Sequence, residues 1–139
     1  MSFVAILLIS DKCPNCQRLV KTREFRYVLD MINNYTCFAV MDIERLREFC
    51  GEIIHKLTTV SIRYDSGYLK ILETIHEPAL IYRTKRGEWR IYTLDFMNED
   101  ELRVKVNIVR NILKLLVIEN PNTCKSIRGR RASRKKSEE

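Results

Sequence analysis

The stretch that decides the fold is FVAILLISDKCPNCQRLVKTREFRYVLDMI, Phe3–Ile32. Its first part, Phe3–Ser10, is apolar on both faces, which is typical of a buried strand in an α/β sheet. From Pro14 the apolar residues recur at threes and fours, which predicts one amphipathic helix of about five turns. Cys13 and Cys16 therefore lie where a strand gives way to a helix.

Two interpretations fit a close cysteine pair at this junction: a redox-active dithiol, or half of a zinc site. A structural zinc site usually contains a second close pair of ligands. Cys37 and Cys50 are thirteen residues apart, and their surroundings predict a strand and a helix. The dithiol is therefore favoured, and no metal or other cofactor is expected. We expect Cys37 and Cys50 to be buried apolar residues, or a second disulfide, and Cys124 to be free.

The charge is concentrated at the C-terminal end. The chain has 139 residues and a net charge of +7. Residues 125–139 contain seven basic and two acidic side chains, whereas the preceding 124 residues contain 18 basic and 16 acidic ones. We therefore predict one domain over residues 1–120 and a disordered basic tail over 121–139.

This tail could contact nucleic acid weakly and without sequence specificity through phosphates. It could equally bind an acidic protein surface or a larger assembly, or only aid solubility. The candidate residues for nucleic-acid contact are Arg128, Arg130, Arg131, Arg134, Lys135 and Lys136.

The sequence has no convincing secretory signal, since Phe3–Ile9 is short and lacks a preceding basic region. It contains no apolar run long enough to span a membrane, so no membrane association is expected. Five cysteines argue against a complete framework of secreted disulfides. These features predict a cytoplasmic protein.

The middle of the chain continues an α/β pattern. Thr36–Ile43 is a second apolar run and Glu44–Leu57 has helical spacing. A strand, a helix and a strand in this order predict a parallel pair with a right-handed crossover. Residues 59–75 fit either a hairpin turning at Asp65-Ser66-Gly67 or a strand followed by a short helix, and we favour the hairpin.

The C-terminal half predicts an antiparallel hairpin, formed by Pro78–Thr84 and Glu88–Leu94 around Lys85-Arg86-Gly87. A last helix follows, capped by Asn98 or Asp100 and ending near Glu119. Its predicted buried side comprises Leu102, Val106, Val109, Leu113 and Leu116.

The element order is β-α-β-α-β-β-α, with an insert near 58–75. With Cys-Pro-Asn-Cys after the first strand and Pro78 opening the later hairpin, the chain resembles the thioredoxin-like fold superfamily, and in particular glutaredoxins. The resemblance is carried by LLISDKCPNC and HEPALIYRTKRGEWRIY and covers roughly residues 3–118. It implies an α/β fold with a mixed four-stranded sheet and helices on both faces. It also implies a cis peptide bond before Pro78, which would lie against the dithiol.

The resemblance further implies a thiol-disulfide oxidoreductase in which Cys13 is the nucleophile and Cys16 the resolving thiol. The helix N-terminus and Lys12 would both lower the pKa of Cys13. Lys12, Pro14, Asn15, Glu77 and Pro78 would contact the substrate. His76, next to them, could help to move protons.

Departures from the family pattern bear on the substrate. TLDFM stands where glutaredoxins have a Gly-Gly pair that helps to hold glutathione, and Glu77 replaces a Thr, Val or Ile. We therefore expect disulfide-containing protein substrates, with electrons from a thiol reductase or a small thiol. The alternative is a non-catalytic binding module that keeps the fold as a scaffold and attaches through its basic tail.

Overall fold

The computed structural model describes residues 3–57, 59–64, 67–72 and 75–127. Their strands and helices alternate through most of the chain. In order they are β1 (Ala5–Leu8), α1 (Pro14–Val20), α2 (Arg23–Asn34), β2 (Phe38–Met41), α3 (Ile43–Phe49), α4 (Gly51–Leu57), β3 (Thr59–Tyr64), β4 (Gly67–Leu72), β5 (Ala79–Arg83), β6 (Trp89–Thr93) and α5 (Glu99–Glu119).

Four strands form one mixed sheet in the order β2-β1-β5-β6. β1 runs parallel to β2, because α1 and α2 carry the chain back between them. β5 pairs antiparallel with both β1 and β6. The predicted α/β class and mixed four-stranded sheet are thus confirmed.

Helices cover both faces of this sheet. Since side chains alternate along a strand, β1 sends Ala5 and Leu7 to one face and Ile6 and Leu8 to the other. The first pair packs in a core with side chains of α1, α2 and α5. The second pair packs in a separate core with side chains of α3 and α4. All four residues of β1 are buried, as the continuous apolar run predicted.

The last helix matches its prediction closely. α5 begins after Asn98, whose side chain accepts a hydrogen bond from the backbone N–H of Glu101 at 2.9 Å. The predicted buried side of the helix, Leu102, Val106, Val109, Leu113 and Leu116, is buried.

The single helix predicted from Pro14 to Ile32 is wrong, because the chain forms two helices that separate at Thr22. This residue is extended, with φ −78° and ψ 144°. Both its hydroxyl (2.7 Å) and its backbone N–H (3.1 Å) donate to the carbonyl of Leu19. Local bonds of this kind compete with helical geometry and end α1.

The helix predicted over Glu44–Leu57 is also divided. Cys50 leaves helical geometry, with φ −135° and ψ 38°, and separates α3 from α4. Cys50 itself remains buried in the core beneath these helices.

Both predicted hairpins contain antiparallel strands. In the β5–β6 turn Gly87 has φ +84°, which a residue without Cβ adopts at little cost. β3 and β4 pair over Thr59–Leu72 in a separate two-stranded sheet, which confirms the hairpin over the strand-helix alternative. The turn residues Asp65 and Ser66 lie outside the described residues.

Cys37 and Cys50 are both buried, as expected, but the alternative of a disulfide between them is wrong. Cys37 forms a disulfide with Cys124, not with Cys50, and the two Cα atoms are 4.7 Å apart. Cys37 precedes β2 and Cys124 follows α5, so the bond joins segments 87 residues apart. Cys124 is therefore not free, and Cys50 belongs to neither disulfide.

Hydrogen bonds beside this disulfide hold the same two segments together. The Thr36 hydroxyl donates to the carbonyl of Thr123 at 2.5 Å and accepts from the N–H of Lys125 at 3.1 Å. The N–H of Thr36 donates to the carbonyl of Lys125 at 3.1 Å, and Tyr35 forms an antiparallel bridge with Ser126. The packed part of the chain thus extends beyond α5.

Replacing Cys124 with Ala should lower the free energy of unfolding by about 2–5 kcal/mol, because the disulfide restricts a long loop in the unfolded chain. Urea unfolding without reductant measures this loss. Cys37→Ala and the double variant should lose nearly the same amount, since either substitution removes the same bond. Additive losses in the double variant would contradict a Cys37–Cys124 disulfide.

Candidate functional site

The two cysteines of the motif form a disulfide at the start of α1. Their Cα atoms are 5.2 Å apart, within the usual range for a disulfide. Cys13 is the N-cap of α1 and is half-buried, whereas Cys16 is only 2% exposed. Pro14 occupies the first turn, where its missing N–H leaves no helical bond unmade.

The sulfur of Cys13 lies at the positive end of this helix. The backbone N–H of Cys16 donates to Cys13 Sγ at 3.1 Å. A hydrogen bond to the charged form and the helix dipole both stabilise a thiolate. The lowered pKa that the sequence analysis expected for Cys13 stays a prediction.

The loop before β5 lies against Cys13. The Glu77–Pro78 peptide bond is cis, which confirms the prediction at this position. The carbonyl oxygen of Glu77 is 3.5 Å from Cys13 Sγ, so the thiol of the reduced form can donate to it. Pro78 is buried, and its carbonyl accepts from the N–H of Leu94 at 3.0 Å.

Strand register accounts for this approach. Leu8, the last residue of β1, pairs with Ala79, the first residue of β5. The chain leaving β1 and the chain entering β5 therefore meet at the same end of the sheet. The first carries Cys13 and the second carries Pro78.

The carboxylate of Glu77 borders a cavity of about 340 Å³ beside the motif. Its Oε2 atom is buried and has no hydrogen-bond partner among the described residues. Other charged residues lining this cavity are Asp11, Lys12, Asp42, Glu44 and Arg47. Acidic side chains outnumber basic ones here.

A second cavity, of about 360 Å³, reaches the buried cysteine. Cys16 lines it together with Asp11, Gln17, Asp42 and Arg45. The Asp42 side chain caps α3 by accepting from the N–H of Arg45 at 2.7 Å. Cys16 is thus buried from bulk solvent but lies beside polar groups.

Asp95 belongs to this region and was not identified from the sequence. Its Oδ1 accepts from Asn15 Nδ2 at 3.3 Å, and its Oδ2 is 2.9 Å from His76 Nε2. Lys105 Nζ donates to the Asp95 carbonyl oxygen. The carboxylate of Asp95, through Asn15 and His76, thereby connects the dithiol motif to the loop before Pro78.

The hairpin register was the signal that could have identified Asp95. Ala79 pairs with Thr93, so the residues after Thr93 lie beside those before Ala79. The sequence reading used TLDFM only to note a missing Gly-Gly pair.

The structure brings the predicted site residues around the dithiol to one end of the sheet. Lys12, Pro14 and Asn15 are exposed around Cys13, and Glu77 and Pro78 face them across the sulfur. The residues predicted to contact nucleic acid, Arg128, Arg130, Arg131, Arg134, Lys135 and Lys136, lie outside the described residues, and that function stays a prediction.

Within the described part of the chain, no group of three or more His, Cys, Asp or Glu side chains is arranged to hold a metal ion. None of its helices is long and apolar enough to cross a membrane. Comparison with family models, curated proteins and solved structures found no match to this chain.

Asp95→Ala should loosen the contact between α1 and the loop before Pro78. Because the two bonds are partly exposed, we expect a stability loss below about 1 kcal/mol. Amide hydrogen exchange should nevertheless become faster at residues 15–17 and 75–77. Asp100→Ala, an exposed carboxylate in the first turn of α5, is the control. Unchanged exchange at both segments in Asp95→Ala would show that the side chain does not connect them.

Proposed function

We propose that the chain is a thiol-disulfide oxidoreductase of thioredoxin-like fold that acts on protein disulfides through Cys13 and Cys16. The observation that carries this proposal is the position of the dithiol: Cys13 Sγ lies at a helix N-terminus, 3.5 Å from the carbonyl that precedes a cis-proline.

The architecture supports the thioredoxin-like part of the proposal. The elements around the dithiol follow the expected order β-α-β-α-β-β-α, with β3 and β4 as the insert and the first two predicted helices each divided in two. The dithiol follows a central strand that is buried on both faces. Such a strand fixes the position of the residues that follow it.

The proposed reaction is a two-step thiol-disulfide exchange. In the reduced enzyme, the Cys13 thiolate attacks one sulfur of a substrate disulfide, forms a mixed disulfide and releases the other substrate sulfur as a thiolate. The Cys16 thiolate then attacks Cys13 Sγ, closes the Cys13–Cys16 disulfide and releases the second substrate thiolate. Two electrons pass to the substrate, and a thiol reductase or a small thiol returns them to the enzyme.

The different burial of the two cysteines supports these roles. Cys13 is half-buried and can reach a substrate disulfide, whereas Cys16 is 2% exposed and can reach only a sulfur already bonded to Cys13. The N–H of Cys16 that donates to Cys13 Sγ also stabilises Cys13 as the attacking or leaving thiolate.

Substitution of the two cysteines tests the proposal. Cys13→Ser should abolish reduction of a protein disulfide such as that of insulin by dithiothreitol-supplied electrons. Cys16→Ser should accumulate a mixed disulfide with the substrate, visible by mass spectrometry of the intact protein. Cys50→Ala, which changes a cysteine in neither disulfide, is the matched control. A Cys13→Ser protein with wild-type turnover would refute the proposal.

Glu77→Gln tests the electrostatics of the same site. Glu77 adjoins Cys13 through its carbonyl oxygen, and a negative charge on its side chain disfavours a second one at Cys13, so we expect Glu77→Gln to be alkylated faster at Cys13 at a given pH. The pH dependence of iodoacetamide alkylation of the Cys13–Cys16 pair measures the change. Glu44→Gln is the control, because Glu44 lines the same cavity from α3. Cys50 provides an internal reference: burial raises the pKa of its thiol, and it should react more slowly than Cys13. An unchanged profile in Glu77→Gln would show that this carboxylate does not act on Cys13.

A further inference from the structure

Helix α5 has apolar side chains on two opposite sides. Its inner face is the buried row described above, which packs in the core. Its outer face consists of Val104, Ile108, Leu115 and Ile118, with Asn111 in the middle of the row. Both rows alternate steps of four and three residues. With about 3.6 residues per turn, the two rows project from opposite sides of the helix.

The outer face is exposed along four turns. The exposed fractions are 60% for Val104, 37% for Ile108, 54% for Leu115 and 75% for Ile118. A helix that only covers a sheet needs one apolar side, and its other side is usually polar. Single exposed aliphatic residues are ordinary, but an aligned row of them marks an interaction surface.

A groove adjoins this face. It lies between α2 and α5, has a volume of about 540 Å³, and is lined by Tyr27, Val104 and Ile108 among others. Tyr27 is 57% exposed and supplies an aromatic wall. The groove and the outer face therefore share apolar residues.

The charged rim of the groove is mainly basic. Arg23, Arg103 and Arg110 line the groove, and Glu24 is the one acidic side chain among the described residues that line it. Glu24 is already engaged with Arg103 at 3.7 Å. The guanidinium of Arg110 lies over the Tyr27 ring, 5.4 Å from the ring centre, which is within the distance of a cation–π contact.

The positive charge of the groove rim favours some possible binding partners over others. The basic C-terminal tail of the same chain would be repelled by the arginines. A second copy of α5 would bring only basic side chains, because residues 104–118, which span the outer face, contain Lys105, Arg110 and Lys114 and no acidic residue. An acidic amphipathic helix has the opposite charge and apolar residues at matching spacing.

We propose that the outer face of α5 and its groove with α2 bind an acidic amphipathic helix of a partner protein. Apolar side chains of the partner helix contact Val104, Ile108 and Tyr27, and its carboxylates lie against the arginines of the rim. None of these six contact residues lines the two cavities beside the dithiol, so the proposal does not depend on the redox function.

Two synthetic peptides test the proposal against the full-length protein. Each is a fluorescein-labelled helix of about 18 residues, long enough to cover the outer face, with leucines at i, i+3, i+4 and i+7 spacing. One carries glutamate and alanine at the other positions, and its match carries lysine and alanine. By fluorescence anisotropy we expect the acidic peptide to bind at least tenfold more tightly, with an affinity that falls as salt is added.

Substitutions in the protein test whether the acidic peptide binds at this surface. Ile108→Asp should weaken the acidic peptide at least tenfold, whereas Phe49→Asp, which changes an exposed apolar residue on α3, should not. Arg103→Gln with Arg110→Gln should weaken it and reduce its salt dependence. Lys85→Gln with Arg86→Gln removes the same charge at the exposed β5–β6 turn and should leave binding unchanged. Circular dichroism checks that each variant is folded.

Three results would overturn the proposal. The first is equal binding of the two peptides, or no binding of either. The second is an affinity for the acidic peptide that Ile108→Asp leaves unchanged. The third is a wild-type dimer in sedimentation velocity that Ile108→Asp converts to monomer, which would assign the surface to a second copy of the chain.

Discussion

The antiparallel pairing of β1 with β5 is the contact on which the candidate site depends. It sets Leu8 opposite Ala79, and so brings the chain that leaves β1 beside the chain that enters β5. The cysteines follow β1 and the cis-proline precedes β5. A shift of one residue in this register would turn the side chains of β5 to the opposite faces and separate Ala79 from Leu8.

The register is held by burial on both faces. Ile6, Leu8, Ala79 and Ile81 pack in one core, and Ala5, Leu7 and Leu80 in the other. A shift of one residue would turn the side chains of β5 to the opposite faces of the sheet, so both cores would have to repack at the same time. The same burial leaves β1 little freedom, so Cys13 is presented to the loop before Pro78 from a fixed position. The buried strands are thus apolar, and the residues of the candidate site lie in the segments that follow β1 and precede β5.

The sequence was informative where one physical rule governed the outcome. The spacing of Leu102, Val106 and Val109 predicted the buried side of α5, because apolar residues at steps of four and three lie along one side of a helix. The predicted cis bond before Pro78 came from resemblance to a family, not from periodicity, and the structure has it. The class of the fold and the convergence of Cys13, Glu77 and Pro78 could therefore be predicted.

Other features depended on contacts between distant residues or on competing local bonds. The break at Thr22 occurs within a run whose apolar spacing continues, so periodicity could not reveal it. The Cys37–Cys124 bond requires knowing that α5 returns its C-terminal end to the start of β2. Asp95 became recognisable only with the hairpin register, since nothing in its own sequence surroundings marks it.

The two disulfides differ in the features that control thiol exchange. Cys13–Cys16 closes a short loop at a helix N-terminus, and the backbone N–H of Cys16 donates to the sulfur of the half-buried Cys13. Cys37–Cys124 closes a long loop, its cysteines are 0% and 6% exposed, and it ties α5 to β2. Because exchange requires an attacking thiolate to reach a sulfur, burial protects the second bond. Breaking it would also release the constraint that it places on the unfolded chain. Under the proposed function, a thiol that reduces the first pair would therefore leave the second intact, and the second would keep its structural role.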